Sequence, residues 1–140
     1  MYSQTYITFL FNILEKCRGI KQDEVYHPEG DVFNHSLQAL HIGMRESDDI
    51  DLIFAALLHD VGKYFGSDGH EKYSVETLED YVSEKTLWLI RNHMRIRYFL
   101  AGKTKRLKKV KALYNNAWFR ELVLLARWDK MARNPNRQVV

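Results

Sequence analysis

Two adjacent residues that can bind a metal, His59 and Asp60, directly follow the most apolar stretch of the chain. That stretch, 52–58 (LIFAALL), is apolar on every side at helical spacing, which is typical of a helix in the centre of a core. The sequence therefore places an imidazole and a carboxylate at the buried end of a core helix. An unpaired buried carboxylate costs on the order of several kcal/mol, comparable with the stability of a whole domain. Asp60 therefore requires a cation or a dense hydrogen-bond network.

Three further candidate ligands continue apolar helical faces in other segments. Asp129 lies four residues after Leu125 on one face, and His93 continues the face of Leu89. His35 shares its face with apolar residues four and seven positions later. Each residue alone can be read as a hydrogen-bonded core histidine or as an aspartate paired with Arg or Lys. Together, five His or Asp residues directed at one interior predict a metal centre.

Imidazole and carboxylate ligands together indicate which metals are suitable. This mixed nitrogen and oxygen set suits a divalent transition metal such as Mn, Fe, Co, Ni or Zn, and Mg is less favoured. The expected cofactor is therefore one or two divalent ions of this group.

The elements that position these residues are predicted to be helices. Apolar residues recur mostly at helical spacing, which predicts an all-α, compact bundle of about six or seven helices. With 140 residues, 46% of them hydrophobic and 28% charged, the chain fits one ordinary globular domain over 1–140. The expected helices span about 3–17, from the cap Asp31 to 44, from 47 or 48 to 61, 71–81, 84–94, 105–114 and 117–132.

The sequence also indicates a compartment. The N-terminus lacks the basic region of a signal peptide, and no apolar run is long enough to span a bilayer, so we expect a cytoplasmic protein without membrane contact. The single cysteine, Cys17, lies in an apolar helical pattern and is expected to be a buried hydrophobic residue rather than a nucleophile.

Several motifs in this order resemble those of a known family. They are the segment 57–63 (LLHDVGK), the block 27–35 (HPEGDVFNH) and the late segment 127–130 (RWDK). The chain resembles the HD superfamily of metal-dependent phosphohydrolases, and most closely the HD domain of some bacterial tRNA nucleotidyltransferases. The resemblance covers roughly residues 26–133 and implies an HD-domain helical bundle. It also implies a shared ligand set for one metal: His35, His59, Asp60 and Asp129.

The resemblance extends to a second metal. Members with two metals add two histidines between the His-Asp pair and the final aspartate, and His70 and His93 occupy that order here. Asp60 would then bridge the two ions. His70 can also be read as a solvated residue at the start of a helix, and His27 and His41 are expected not to be ligands.

The implied activity is hydrolysis of a phosphoester by metal-activated water, on a nucleotide or on a nucleic-acid-derived phosphate. Beside Asp60, the catalytic residues would be Lys63, which offsets phosphate charge, and Glu29, which orients water or a ligand. Lys63 can equally be a cation at a helix C-terminus, and Glu29 a structural cap. The sequence after His59-Asp60 is Val-Gly-Lys rather than an acidic pair, which argues against guanosine tetraphosphate hydrolysis.

A basic stretch over 103–111 is the candidate substrate-binding segment. Together with Lys63, its residues Lys103, Lys105 and Arg106 would bind the phosphates of a nucleotide, and the stretch could also bind nucleic acid. A solvated helix face is the alternative interpretation of such a run.

Two other classes of protein remain open from the sequence. The same ligands serve HD-type di-iron oxygenases, although the interval of ten residues between Asp60 and His70 looks short for them. The other alternative is a non-enzymatic nucleic-acid-binding module with a structural metal.

Overall fold

Seven α-helices and one short 3-10 helix make up the described part of the chain. The computed structural model describes residues 4–22, 27–28, 30–104 and 107–133, and it contains no strand within these ranges. The α-helices are α1 (Gln4–Glu15), α2 (Val32–Glu46), α3 (Ile50–Leu58), α4 (His70–Leu78), α5 (Glu84–Leu100), α6 (Leu107–Tyr114) and α7 (Phe119–Met131), and the 3-10 helix is Val61–Phe65. The prediction of an all-α bundle is confirmed.

Helix α3 lies at the centre of the core, as its apolar sequence predicted. It packs against α2, α5 and α7, which also contact one another in the pairs α2·α7 and α5·α7. Its buried residues Leu52, Ala55, Ala56 and Leu58 are at most 1% exposed. Two small alanines on this helix allow its neighbours to approach closely, so the end of α3 lies deep in the bundle.

Helices α2 and α7, which carry His35 and Asp129, are held together by close packing. A Cβ on Gly43 of α2 would lie 2.9 Å from the ring of Trp128 on α7, so the missing side chain makes room for the indole. Gln38 Nε2 donates to the carbonyl oxygen of Ala132 at 2.8 Å, at the end of α7. These contacts fix the position of α7 along α2.

Aspartate caps begin α2 and α3, the two helices that lead to His35 and to the His59-Asp60 pair. Asp31 accepts from the backbone N–H groups of Asn34 and Gly19, both at 2.7 Å, so it starts α2 and ties it to the turn after α1. Asp31 was predicted as this cap, and the prediction is confirmed. Helix α3 begins slightly later than expected, because Asp49 rather than Ser47 or Asp48 is its cap.

Three predicted helix boundaries are wrong by three residues or more. Helix α4 ends at Leu78 instead of Tyr81, because the chain turns there and the Tyr81 N–H donates to the Leu78 carbonyl oxygen. Helix α3 ends at Leu58 instead of continuing to Val61, and the chain turns at Asp60 into the 3-10 helix. Helix α5 continues to Leu100 instead of ending at Met94, because Ile96 extends its buried face and no breaker occurs before Gly102.

In the described ranges, every helix is too short or too polar to cross a bilayer. The extent of the domain over the full chain stays a prediction.

Candidate metal centre

The first candidate group combines ligands from three helical segments. His35 lies on α2, His59 and Asp60 follow α3, and Asp129 lies near the end of α7. One ligand atom of each lies within 4.8 Å of all the others, and all four residues are buried. His35 Nε2 lies 2.8 Å from Asp129 Oδ1, and His59 Nε2 lies 3.2 Å from Asp60 Oδ2. The four residues named from the sequence are therefore brought together.

The second candidate group contains Asp60, His70 and His93. His70 is the first residue of α4 and His93 lies on α5; both are at most 3% exposed. Their Nε2 atoms are 3.0 Å apart, and they lie 2.9 Å and 3.5 Å from Asp60 Oδ1. His70 is thus not the solvated residue that its position before a helix also allowed.

Asp60 belongs to both groups through different oxygens. Oδ2 faces His35 at 3.6 Å and His59 at 3.2 Å, whereas Oδ1 faces His70 and His93. A carboxylate in this position can bridge two cations. This is the geometry that a two-metal centre requires of its shared ligand.

The orientation of three imidazoles fits a cation better than it fits a hydrogen-bond network. In His59, His70 and His93 the Nδ1 atom lies 2.9, 3.0 and 2.6 Å from the carbonyl oxygen three residues earlier, so Nδ1 is the donor. When the ring is neutral, Nε2 therefore carries a lone pair toward the carboxylates. Among the described residues, His59 Nε2 is buried and has no hydrogen-bond partner. Lone pairs and carboxylate oxygens that face one another need a positive charge between them, which a proton on His59 or a divalent ion in its place can supply.

Electrostatics hold the carboxylates ionised. Burial by itself raises the pKa of Asp60, but the charges of His59 and Lys63 hold that pKa well below its usual range. The pKa of Asp129 is likewise held low by His35 and His59 against the effect of burial. Burial lowers the pKa of His59, but the two carboxylates outweigh it and raise the value to about 10. Burial lowers the pKa of His93, which favours its neutral, metal-binding form.

Gly62 and Ser74 determine how the second group is assembled. A Cβ on Gly62 would collide with the carbonyl oxygen of His70 and would lie 2.5 Å from the backbone nitrogen of Ser74. The Ser74 hydroxyl accepts from Gly62 N at 2.8 Å and donates to the His59 carbonyl oxygen at 3.1 Å. This clamp explains why α3 stops at Leu58, since the His59 carbonyl bonds to α4 instead of continuing the helix. It also places His70 beside Asp60.

Lys63 lies against the centre with a partner that the sequence analysis missed. Its side chain is 9% exposed, and its Nζ lies 3.5 Å from Asp60 Oδ2 and donates to Gln22 Oε1 at 2.6 Å. Lys63 is therefore a cation at the site as well as a residue in the last turn of the 3-10 helix. Gln22 precedes α2 in an irregular connection, where no periodicity points to it.

The other predicted residues have different positions. Lys103 is exposed and lines a cavity that reaches Asp129. Glu29, Lys105 and Arg106 lie outside the described residues, and their predicted roles stay predictions.

The remaining histidines and the cysteine were expected not to be ligands. His27 is buried with its ring centroid 5.3 Å from that of His35, and His41 is half-buried; both are outside the two groups that the described residues form. Cys17 is fully buried, as predicted.

An all-α bundle with two groups of His and Asp ligands sharing one carboxylate defines a class of metal-binding helical proteins. The family model of the HD domain matches residues 32–134, well over half of the chain. The chain belongs to the HD domain family, and the resemblance inferred from its motifs is confirmed.

Two curated relatives match part of the chain. The multifunctional CCA protein of Alkalilimnicola ehrlichii is 46% identical over 50 residues, which are 36% of this chain and 12% of that protein. The multifunctional CCA protein of Thioalkalivibrio sulfidiphilus is 38% identical over 77 residues, which are 50% of this chain and 19% of that protein. The matched part of the chain therefore spans less than a fifth of the length of these relatives.

Proposed function

We propose that this chain is a metal-dependent phosphohydrolase that cleaves a phosphoester of a nucleotide or of a nucleic-acid end. The observation that carries the proposal is the position of Asp60, which presents one oxygen to each ligand group, with the ammonium group of Lys63 3.5 Å from Oδ2. Two cation positions beside a fixed positive charge suit a reaction in which negative charge develops on phosphate oxygens.

The protein's own residues would perform separate tasks. Bound divalent cations would supply an activated water and a Lewis acid for a phosphoryl oxygen. His35, His59 and Asp129 would hold one cation, His70 and His93 the other, and Asp60 both. Each Nδ1 hydrogen bond to a backbone carbonyl fixes a ring in the orientation that presents Nε2.

Lys63 would act on the substrate rather than as a ligand. An ammonium group that Gln22 holds next to Asp60 is placed to balance negative charge on a phosphate at the centre. The side chains of Lys63 and Asp60 are largely buried, so little water screens the ammonium charge. The effect of this charge on a developing anion is therefore larger than at a surface.

Two observations support a nucleotide-type substrate. The motifs resemble those of the HD domain of tRNA nucleotidyltransferases, and both curated relatives are named multifunctional CCA proteins. Lys103 lines a cavity beside Asp129, where a cation favours phosphate. Lys105, Arg106 and Glu29 keep their predicted roles as parts of this proposal.

A hydrolysis screen tests the function. The purified chain is incubated with phosphomonoesters, cyclic nucleotides and dNTPs in the presence of Mn, Co, Ni or Mg, beside Asp60→Asn and the control His41→Gln. We expect cleavage of at least one nucleotide class, a loss of at least about 100-fold in Asp60→Asn, and no loss in His41→Gln. Absence of cleavage with every metal, or iron-dependent oxygen uptake instead, would contradict the proposal.

A further inference from the structure

A cavity of about 390 Å³ opens between α5 and α7, directly beside the metal centre. Four cationic side chains line it, together with one carboxylate and a wall that is mostly apolar. The cations are those of Arg97, Lys103, Lys130 and Arg133, and the carboxylate is that of Asp129. This volume lies at the lower end of the range of about 300–1,000 Å³ for small-molecule sites. It suits a single small ligand rather than an extended polymer.

The charge of this cavity selects an anion. Four cations face a single acid, and that acid is already shared, because Asp129 Oδ1 lies 2.8 Å from His35 Nε2 and belongs to the first ligand group. Asp129 therefore cannot balance the surrounding positive charge alone. A phosphate with two negative charges can do so.

Arg133 shows the shortage of acceptors most directly. Its Nη2 lies 3.6 Å from Asp129 Oδ1, beyond hydrogen-bonding distance, and its side chain is only 17% exposed. Within the described part of the chain, its Nε is buried and has no hydrogen-bond acceptor. A largely buried guanidinium without a close acceptor is costly, and a phosphate in the cavity that Arg133 lines would give this guanidinium an acceptor.

The remaining wall suits a flat, partly apolar group. Tyr98 is 49% exposed and lines the cavity beside aliphatic side chains of α5 and α7. An exposed aromatic ring next to a phosphate site is a suitable surface for the stacking of a base.

We propose that this cavity binds one phosphorylated nucleotide residue, with its phosphate on Arg133 and its base side against Tyr98. The inference rests on the proposed function, because the cavity reaches the metal centre only through Asp129. The bound nucleotide can be a free mononucleotide or the terminal nucleotide of an oligonucleotide, since both present the same phosphate and base. Arg97, Lys103 and Lys130 complete the positive surface, and the sequence analysis gave no role in substrate binding to Arg97, Lys130 or Arg133.

Binding measurements on the metal-loaded protein test the inference. The probes are the methylenephosphonate analogue of AMP, which cannot be hydrolysed at its P–C bond, adenosine, inorganic phosphate and a 5′-phosphorylated trinucleotide. The variants are Arg133→Gln and Tyr98→Ala, and the matched control is Arg120→Gln, an exposed arginine of α7 outside the cavity. Metal content is measured for each variant.

The two variants should separate the two parts of the ligand. We expect Arg133→Gln to weaken binding of the analogue and of inorganic phosphate by at least about tenfold with unchanged metal content. Tyr98→Ala should weaken binding of the analogue several-fold and leave inorganic phosphate unaffected, and Arg120→Gln should change neither. Tighter binding of the trinucleotide than of the analogue assigns the site to a nucleic-acid end, and equal or weaker binding assigns it to a free nucleotide.

The outcomes distinguish this inference from the proposed function. If phosphoesters are cleaved but Arg133→Gln and Tyr98→Ala bind the analogue like the wild type, the cavity assignment is wrong and the hydrolase proposal stands. If the analogue binds in an Arg133-dependent manner but nothing is cleaved, the hydrolase proposal is wrong and the nucleotide site stands.

Discussion

The Nε2 atoms of His70 and His93 lie 3.0 Å apart, although each ring already donates its Nδ1 hydrogen to a backbone carbonyl. Two neutral imidazoles in this tautomer present a lone pair to each other, and that contact is unfavourable without a positive charge. Asp60 Oδ1 lies 2.9 Å from one ring and 3.5 Å from the other, so the three atoms surround a position that suits a cation. The pair is the strongest local sign of a second metal.

Removal of one histidine of this pair should lower the metal content from two ions to about one. His70→Gln and His93→Gln each leave the first group intact, because that group uses the other oxygen of Asp60. Asp60→Asn should lose both ions, since the residue belongs to both groups. Elemental analysis of purified protein after dialysis against Mn or Co measures this, with His41→Gln as the control. Retention of two ions by His70→Gln would contradict the assignment of the second group.

Neutralising Lys63 should reduce turnover without removing the metal. Lys63→Met keeps most of the side-chain volume but loses the charge next to Asp60, so we expect kcat to fall by about 10- to 100-fold. Gln22→Ala should lower kcat less, because Lys63 keeps its positive charge and loses only the hydrogen bond that holds the ammonium group in place. Steady-state kinetics on the best substrate, combined with metal analysis, provide the test. If Lys63→Met has the kcat of the wild type, Lys63 is only a structural cation and does not act on the substrate.

Substitutions in the clamp between the 3-10 helix and α4 should destabilise the protein. Gly62→Ala forces a Cβ against the backbone of His70 and Ser74, which cannot move aside like a side chain, so we expect a loss of about 3 kcal/mol. Ser74→Ala leaves the Gly62 N–H and the His59 carbonyl without this buried partner, and we expect a loss of about 1–3 kcal/mol.

Urea unfolding followed by circular dichroism measures these losses. Glu76→Ala, at an exposed position of the same helix, is the matched control and should change stability by less than about 0.5 kcal/mol. If Gly62→Ala unfolds at the same urea concentration as the wild type, the absence of a side chain at this position is not needed for α4 to pack against the 3-10 helix.

The thiol of Cys17 should be unreactive in the folded protein. Burial, with smaller contributions from the carboxylates of Asp60 and Asp31, raises the pKa of this thiol from 9.0 to about 11. At pH 8 only about one molecule in a thousand then carries the thiolate, which is the reactive form. Because the fold favours the neutral thiol, its contribution to the free energy of unfolding is present below pH 9 and is lost as the pH rises toward 11.

Alkylation by iodoacetamide, followed by mass spectrometry, checks this prediction. We expect slow modification of the native protein at pH 8 and rapid modification in concentrated urea. Equal rates under the two conditions would show that Cys17 is accessible, which its full burial does not allow.

Periodicity predicted the inward direction of His35, His93 and Asp129, because each continues a face of apolar residues within a regular helix. His70 has no such face before it, since it follows the loop Gly66–Gly69, and only the family resemblance pointed to it. The structure places all of these side chains around Asp60, in the two groups that their order implied.

The residues that the sequence did not reveal depend on contacts between distant segments. Gln22 lies in an irregular connection, and its contact with Lys63 spans 41 positions. Arg97 and Arg133 lie just beyond the helices predicted from the sequence and look like solvated cations, and only the packing of α5 against α7 places them around one cavity. The end of α3 was misplaced for a related reason, because the Ser74 hydroxyl that takes the His59 carbonyl belongs to another helix.

The clamp at Gly62 and Ser74 has an evolutionary consequence. His59, Asp60, Lys63 and His70 lie within twelve consecutive positions, and only the short loop Gly66–Gly69 separates the last of them from the others. Because the Ser74 hydroxyl accepts from Gly62 N and donates to the His59 carbonyl oxygen, α4 is held at the site by contacts that do not pass through this loop. A lineage built on this fold could therefore lengthen the loop and still keep His70 beside Asp60, so the spacing of these two ligands along the chain can vary while both groups are retained.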